Sequence, residues 1–75
     1  MKKKIIINTI ANIINKKPID IKLSFGIGSV DDWDSLAQIR IYLELKKKLK
    51  YTGNINDLAK IKTVKDWITF FSKNK

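Results

Sequence analysis

Apolar residues recur at helical spacing in three segments of this 75-residue chain, and this pattern restricts the fold more than any other feature. Residues 2–16 carry isoleucines on one arc of a helix of 3.6 residues per turn, with polar residues opposite. A strand over residues 4–7 competes with this prediction, but Asn8 and Asn12 fit a longer strand poorly. Since isoleucine is only a fair helix former, tertiary packing must stabilise this helix.

Turn residues divide the remaining chain. Pro18 should end the first helix, because the residue before a proline is driven out of the helical region. Residues 17–34 then form a long connection in which Gly26 and Gly28 permit a turn. Its apolar anchors to the bundle are Ile21, Leu23, Phe25, Ile27 and Val30.

The second half of the chain predicts three more helices. The second helix covers residues 35–50, and a short third helix covers residues 55–60 after a turn at Gly53. The segment from Thr63 to Asp66 matches a capping box that opens the last helix. The chain therefore predicts a single all-α domain over residues 1–75, a small four-helix bundle with three longer helices and one short one.

The predicted second helix has an unusually wide apolar surface. Its apolar positions cover more than half of the circumference, which predicts a central helix with several neighbours. The apolar positions are Leu36, Ile39, Ile41, Tyr42, Leu43, Leu45 and Leu49. The predicted exposed strip contains Gln38, Arg40, Glu44, Lys46, Lys47 and Lys48.

The residue inventory excludes several classes of protein. Without cysteine, the chain can form neither disulfides nor a thiolate metal site. Without histidine, it lacks the usual general base and cannot be a self-contained Ser–His or Cys–His hydrolase. A chain this short also has little material for a closed pocket. We therefore predict a binding, carrier or structural module, not an enzyme, with no catalytic residue.

The formal net charge of +9 raises the alternative of a small basic helical module that binds nucleic acid. Of the 16 basic residues, only Arg40 is an arginine, whereas nucleic-acid binders usually rely on the planar arginine side chain. A protein-interaction domain that uses the face from Lys46 to Lys50 is a third possibility. No apolar run is long enough to span a bilayer, and Asn8 interrupts the signal-like start, so we expect a cytoplasmic monomer.

The tripeptide Asp34-Ser35-Leu36 opens the predicted second helix. The residues from Ser35 to Gln38 match the S-x-x-Q capping box, in which the serine side chain caps the helix. Asp34 could take the cap instead, which would leave the Ser35 hydroxyl free on the first turn. The nearby Asp31 and Asp32 could belong to a metal-binding loop, but carboxylates are also favoured at the positive end of a helix. The second interpretation fits better, so we predict no metal site.

The pattern around this tripeptide resembles the acyl carrier protein family, which includes peptidyl carrier domains. The resemblance rests on the tripeptide itself, the length of the second helix, the segment from Ile61 to Val64 and the total length, and it runs from Trp33 to about Phe71. Trp33 directly precedes the tripeptide. A tryptophan there makes the chain more similar to carriers of specialised pathways than to carriers of fatty-acid biosynthesis and lipid metabolism.

The resemblance implies a covalent cofactor. Ser35 would be the attachment point of 4′-phosphopantetheine, transferred from coenzyme A by a separate phosphopantetheinyl transferase with its own magnesium ion. Asp34 would help to orient the serine, and Leu36 would contact the transferase. The arm would carry an acyl or aminoacyl group as a thioester and present it to loading and downstream biosynthetic enzymes.

The second helix of this family usually docks on partner enzymes through acidic residues. In this chain the corresponding strip is basic, which implies partners with acidic or apolar docking surfaces. The predicted partner-binding residues are Ile39, Arg40, Leu43, Lys46 and Lys47. In family members an acyl chain can also lie between the helices, and the bundle-facing candidates for this role are Ile39, Leu43, Leu45, Leu58, Ile61 and Trp67.

Overall fold

The computed structural model describes residues 2–73, except for the side chain of Lys73, and it confirms a small all-α bundle. The three α-helices are α1 (Lys2–Ile13), α2 (Ser35–Lys48) and α3 (Val64–Lys73). Two 3-10 helices cover Pro18–Asp20 and Ile55–Lys60, the second with the bounds predicted for the short helix. In this range the extended backbone is limited to isolated bridges, such as that between Gly26 and Thr63.

The core is built around α1, which packs against both α2 and α3. Ile6 and Ile10 of α1 are completely buried, as is Ile14 directly after the helix, and all three follow the helical spacing of the isoleucines. The prediction that α2 is the central helix is wrong, because the excess apolar residues of α2 face solvent instead of another helix. These exposed residues are Leu36, Ile39 and Leu43.

A residue in the left-handed conformation follows two positions after the end of both α1 and α2. Asn15 has φ of 58°, and the Lys16 N–H donates back to the Ala11 carbonyl over 2.9 Å. Helix α1 therefore ends two residues before Asn15, earlier than predicted, and Pro18 begins a 3-10 turn instead of ending the helix. Lys50 has φ of 55° and plays the same role after α2.

Aromatic rings fill much of the interior between α2 and α3. Trp67 and Phe71 are stacked with ring centroids 6.0 Å apart, and Tyr51 meets Phe71 edge to face at 5.4 Å. Tyr51 also donates a hydrogen bond of 2.6 Å to Asp57, which together with partial burial raises the pKa of Tyr51 to about 12. These large rings supply apolar contact that a core of this size otherwise lacks.

The long connection is fixed to the start of α3. The carbonyl of Phe25 accepts a hydrogen bond from the Val64 N–H at 2.8 Å, so the connection satisfies a donor that the helix itself cannot satisfy. Gly26 is required here, because a Cβ at this position would collide with the carbonyl oxygen of Lys62. Of the five predicted apolar anchors, Ile21, Phe25 and Val30 pack against the core, whereas Leu23 and Ile27 are exposed.

Candidate functional site

A buried hydrogen-bond chain supports the start of α2. The indole N–H of Trp33, a residue only 1% exposed, donates to Oε1 of Gln38 over 2.8 Å. The amide nitrogen of Gln38 donates in turn to the carbonyl oxygen of Ile61 over 3.0 Å. This chain joins the end of the long connection, the first turns of α2 and the segment before α3. We call it the Trp33–Gln38–Ile61 chain.

Gln38 was predicted to be exposed or to close a capping box, and both predictions are wrong. Its side chain is 6% exposed and both of its polar atoms are used inside the protein. The sequence did carry a signal for this position, because Gln38 precedes Ile41, Tyr42 and Leu45 by three, four and seven residues. That spacing places Gln38 on the buried arc of the helix, where a polar side chain needs internal partners.

Asp34, not Ser35, is the N-cap of α2. Its backbone is extended, with φ of −105° and ψ of −171°, and its Oδ1 accepts a hydrogen bond of 2.9 Å from the Ala37 N–H. The sequence alternative in which Asp34 takes the cap is therefore confirmed, and the capping role of Ser35 is wrong. Aspartate at the cap satisfies one of the free N–H groups of the first turn and places a negative charge at the positive end of the helix.

Ser35 is consequently the first residue of α2 with an uncommitted side chain. It is exposed, and no group in residues 2–73 forms a hydrogen bond with its hydroxyl. The next residue, Leu36, is 66% exposed. The hydroxyl thus lies at a helix start that is anchored from beneath by the Trp33–Gln38–Ile61 chain and capped by its neighbour.

Asp31 and Asp32, which precede the site, are also exposed. Within the described part of the chain, however, no three carboxylates come together in a way that could hold a metal ion. These side chains place negative charge beside the start of α2.

An apolar strip runs along the exposed side of α2 and consists of Leu36, Ile39 and Leu43, which are 66%, 38% and 51% exposed. The three residues follow one another at intervals of three and four, so they share one side of the helix. Arg40 and Lys47 lie exposed on the same helix, and Lys46 is half-buried. Each residue predicted to bind partners is therefore at least partly accessible.

The placement of Ile39 and Leu43 on the bundle-facing side was wrong. Both side chains face solvent, whereas Leu45, Ile61 and Trp67 are buried in the core and Leu58 packs partly against it. The core in this region is filled by large side chains, among them Trp67, whose indole N–H is buried without a partner among the described residues. The hydroxyl of Tyr42 is buried in the same way, and burial raises its pKa.

An open cleft of about 480 Å³ lies beside the Trp33–Gln38–Ile61 chain. Its walls include Ile27, Gln38 and Ile61, and the exposed Lys62 contributes to its edge. The lining of this open cleft is mainly apolar, with a few polar groups.

No protein-family model matches the sequence, and no curated protein is significantly similar to it. None of the helices in residues 2–73 is long and apolar enough to cross a lipid bilayer.

Proposed function

We propose that this protein is an acyl carrier that holds an acyl or aminoacyl group on 4′-phosphopantetheine attached to Ser35, in a dedicated pathway of the cytoplasm. The observation that carries the proposal is the uncommitted, exposed hydroxyl of Ser35 on the first turn of α2. Asp34 performs the capping that would otherwise occupy this hydroxyl. An exposed serine at a capped helix start is accessible to a modifying enzyme as its acceptor.

The residues around Ser35 fit a phosphodiester-linked arm. The side chain is exposed and free of internal hydrogen bonds, so attachment displaces no contact of the protein. The positive end of the 14-residue α2 favours a phosphate group at this position. When bound, the arm would supply the thiol that this cysteine-free chain lacks. Leu36 would contact the transferase, and Asp34 would keep the acceptor turn in place.

The apolar strip of α2 and the cations beside it support a docking role in the same proposal. Ile39 and Leu43 offer apolar contact, while Arg40 and Lys47 offer positive charge. Partner enzymes would therefore present apolar or acidic surfaces, since charge complementarity steers encounter and suppresses wrong partners. Glu44 reduces the positive charge only locally, because it pairs with Lys48 at 3.9 Å.

The proposal is tested by the intact mass of the protein before and after incubation with coenzyme A, magnesium and a broad-specificity phosphopantetheinyl transferase. We expect one added phosphopantetheine on the native protein and none on Ser35→Ala. Ser24→Ala is the matched control, because Ser24 is also exposed but lies in the long connection. This control should be modified as fully as the native protein.

Absence of modification on the folded native protein, with a known carrier modified in parallel, would overturn the proposal. Modification that persists in Ser35→Ala would overturn the assignment of the site. In the first case the nucleic-acid alternative would be tested next, by titration with oligonucleotides at several salt concentrations. Binding through lysine–phosphate contacts weakens steeply as salt rises.

A further inference from the structure

A second surface, remote in sequence from Ser35, combines an unusually exposed isoleucine with lysines. Ile19 lies in the 3-10 turn Pro18–Asp20 and is 89% exposed. Among the large apolar side chains of residues 2–73, it is the most exposed. A single exposed isoleucine is ordinary, but this one continues into a larger apolar surface.

The larger surface is an open cleft of about 510 Å³ between α1 and the 3-10 turn. Ile7, Pro18 and Ile19 form its apolar walls, and Lys3 and Lys4 contribute to its border. The lysine stems add further apolar length while their ammonium groups remain in solvent. The turn and the first half of α1 therefore present one apolar surface with a cationic border.

The segment that forms this surface carries charges of one sign only, as far as Ile19, and the first acidic residue is the adjacent Asp20. Residues 2–19 contain five lysines and no acidic residue. Lys16 and Lys17 are exposed and directly precede Pro18. We call the surface formed by Lys3, Lys4, Lys16, Lys17 and Ile19 the basic tip.

We propose that the basic tip binds the surface of an anionic lipid bilayer, with Ile19 inserted among the acyl chains and the lysines against the lipid phosphates. A membrane can bind both the apolar side chain and the lysines of the basic tip, since apolar insertion and the attraction of lysines to anionic lipids add together. A nucleic acid would reward only the charge, and the basic tip offers it no arginine and no aromatic ring for stacking. The occupant is thus a lipid surface.

The expected affinity for the membrane is modest, and it is the sum of separate contributions from the lysines and from Ile19. Each lysine close to an anionic surface contributes about fivefold to partitioning. Burial of an isoleucine side chain contributes about tenfold or more. Because the charges are exposed, raising the salt concentration should weaken binding to anionic vesicles.

The test is co-sedimentation of the full chain with vesicles of phosphatidylcholine alone and of phosphatidylcholine mixed with an equal share of phosphatidylglycerol. We expect binding to the mixed vesicles only. Ile19→Ser should reduce partitioning by about tenfold, and Lys16→Glu/Lys17→Glu should reduce it further. Neither variant removes a buried contact, and circular dichroism should show unchanged helices.

Matched controls separate the basic tip from general charge. Ile55→Ser removes another exposed isoleucine, 46% exposed, from the 3-10 helix Ile55–Lys60. Lys60→Glu/Lys62→Glu changes the net charge by the same amount as the lysine pair of the tip. Ile55→Ser should bind like the native protein, and Lys60→Glu/Lys62→Glu should bind more tightly than Lys16→Glu/Lys17→Glu.

Three outcomes would overturn the inference: no binding to the mixed vesicles, equal binding by Ile19→Ser, or equal losses in the two lysine pairs. Salt-sensitive binding of an oligonucleotide that is unaffected by Ile19→Ser, together with absence of vesicle binding, would assign the basic tip to nucleic acid instead. Modification of Ser35 is measured separately and involves none of these residues. Failure of the membrane inference is therefore distinguishable from failure of the proposed carrier function.

Discussion

The starts of α2 and α3 have similar capping-box sequences but form different structures. Each has a hydroxyl residue followed three positions later by a residue that could reach back to it. At α3 the box closes, because Asp66 Oδ2 accepts from the Thr63 N–H at 3.1 Å and Thr63 Oγ1 accepts from the Asp66 N–H at 3.3 Å. At α2 the box does not form, and Ser35 keeps a free hydroxyl.

The difference lies in the neighbours of each motif. Before Ser35 stands Asp34, which is itself a strong cap, whereas before Thr63 stands Lys62, which is not. Gln38 is also committed to the buried Trp33–Gln38–Ile61 chain, while Asp66 is half-buried and can turn back. The hydroxyl of Thr63 thus caps α3, whereas the hydroxyl of Ser35 has no hydrogen-bond partner among residues 2–73.

The largest expected effect on the start of α2 comes from removing the buried amide of Gln38. Gln38→Leu would leave the Trp33 indole N–H and the Ile61 carbonyl without partners. We expect it to lower the free energy of unfolding by about 2–6 kcal/mol, since each of the two orphaned buried groups costs about 1–3 kcal/mol. Urea denaturation measures the loss. Arg40→Leu, an exposed substitution on the same helix, is the control and should change stability little.

If Gln38→Leu lowers the free energy of unfolding by less than about 1 kcal/mol, the Trp33–Gln38–Ile61 chain does not support the start of α2. In that event the position of Ser35 would depend on the Asp34 cap alone. A double-mutant cycle with Trp33→Phe would then show coupling close to zero.

Alanine substitutions compare the two helix starts directly. Thr63→Ala and Asp34→Ala should each cost about 1 kcal/mol, because each removes a capping side chain. Ser35→Ala should cost less than about 0.5 kcal/mol, as expected for a surface substitution that removes no contact. Thermal or urea unfolding of the three variants under one set of conditions provides the measurement. Equal losses for Ser35→Ala and Thr63→Ala would contradict the distinction between the two starts.

The pH dependence of stability tests the closed box of α3. Hydrogen bonds from the backbone N–H groups of Lys62 and Thr63 hold the pKa of Asp66 below its ordinary value of 3.8. Since the folded pKa is the lower one, the stabilisation by this carboxylate is fully present above the unfolded pKa. It is lost as the pH falls from there through the folded pKa.

Asp66→Asn should therefore show a shallower loss of stability in acid than the native protein. Unfolding curves collected in steps below about pH 5 would measure this slope. Identical slopes would mean that Asp66 titrates alike in the folded and unfolded chains. The expected effect is small, because Asp66 remains partly open to solvent.

The smallest expected effect concerns the opposite end of α2. Lys50 adopts φ of 55°, a conformation that glycine adopts without the steric cost of a side chain. Lys50→Gly should raise the free energy of unfolding by about 0.5 kcal/mol, the balance between relief of this strain and the greater freedom of glycine in the unfolded chain. Lys47→Gly, within the helix, should destabilise by about 1 kcal/mol and provides the contrasting control.

The sequence predicted those features that depend on local patterns. The period of the isoleucines located α1, and the turn at Gly53 located the 3-10 helix Ile55–Lys60. The box from Thr63 to Asp66 was also predicted, because all of its partners lie within four residues. The interpretation of Ser35 as an acceptor came from the resemblance of its surroundings to the acyl carrier family, and it stays a prediction.

Features that depend on tertiary contacts were predicted less well. The wide apolar surface of α2 could not by itself show which side faces α1, so Ile39 and Leu43 were placed inward. Gln38 was misjudged because its partner Ile61 is distant in sequence and reaches it only after the chain has folded. The early end of α1 at Ile13 follows from a left-handed residue that no proline or glycine marks.

The burial of Trp33 gives this protein an internal optical reporter. An indole that is 1% exposed and hydrogen-bonded to an amide fluoresces from a fixed environment, two residues from Ser35. The second tryptophan, Trp67, is stacked on Phe71 and can be replaced by phenylalanine to leave a single emitter. Any event at the start of α2 that disturbs the indole would then register as a change in emission, without a chemical label.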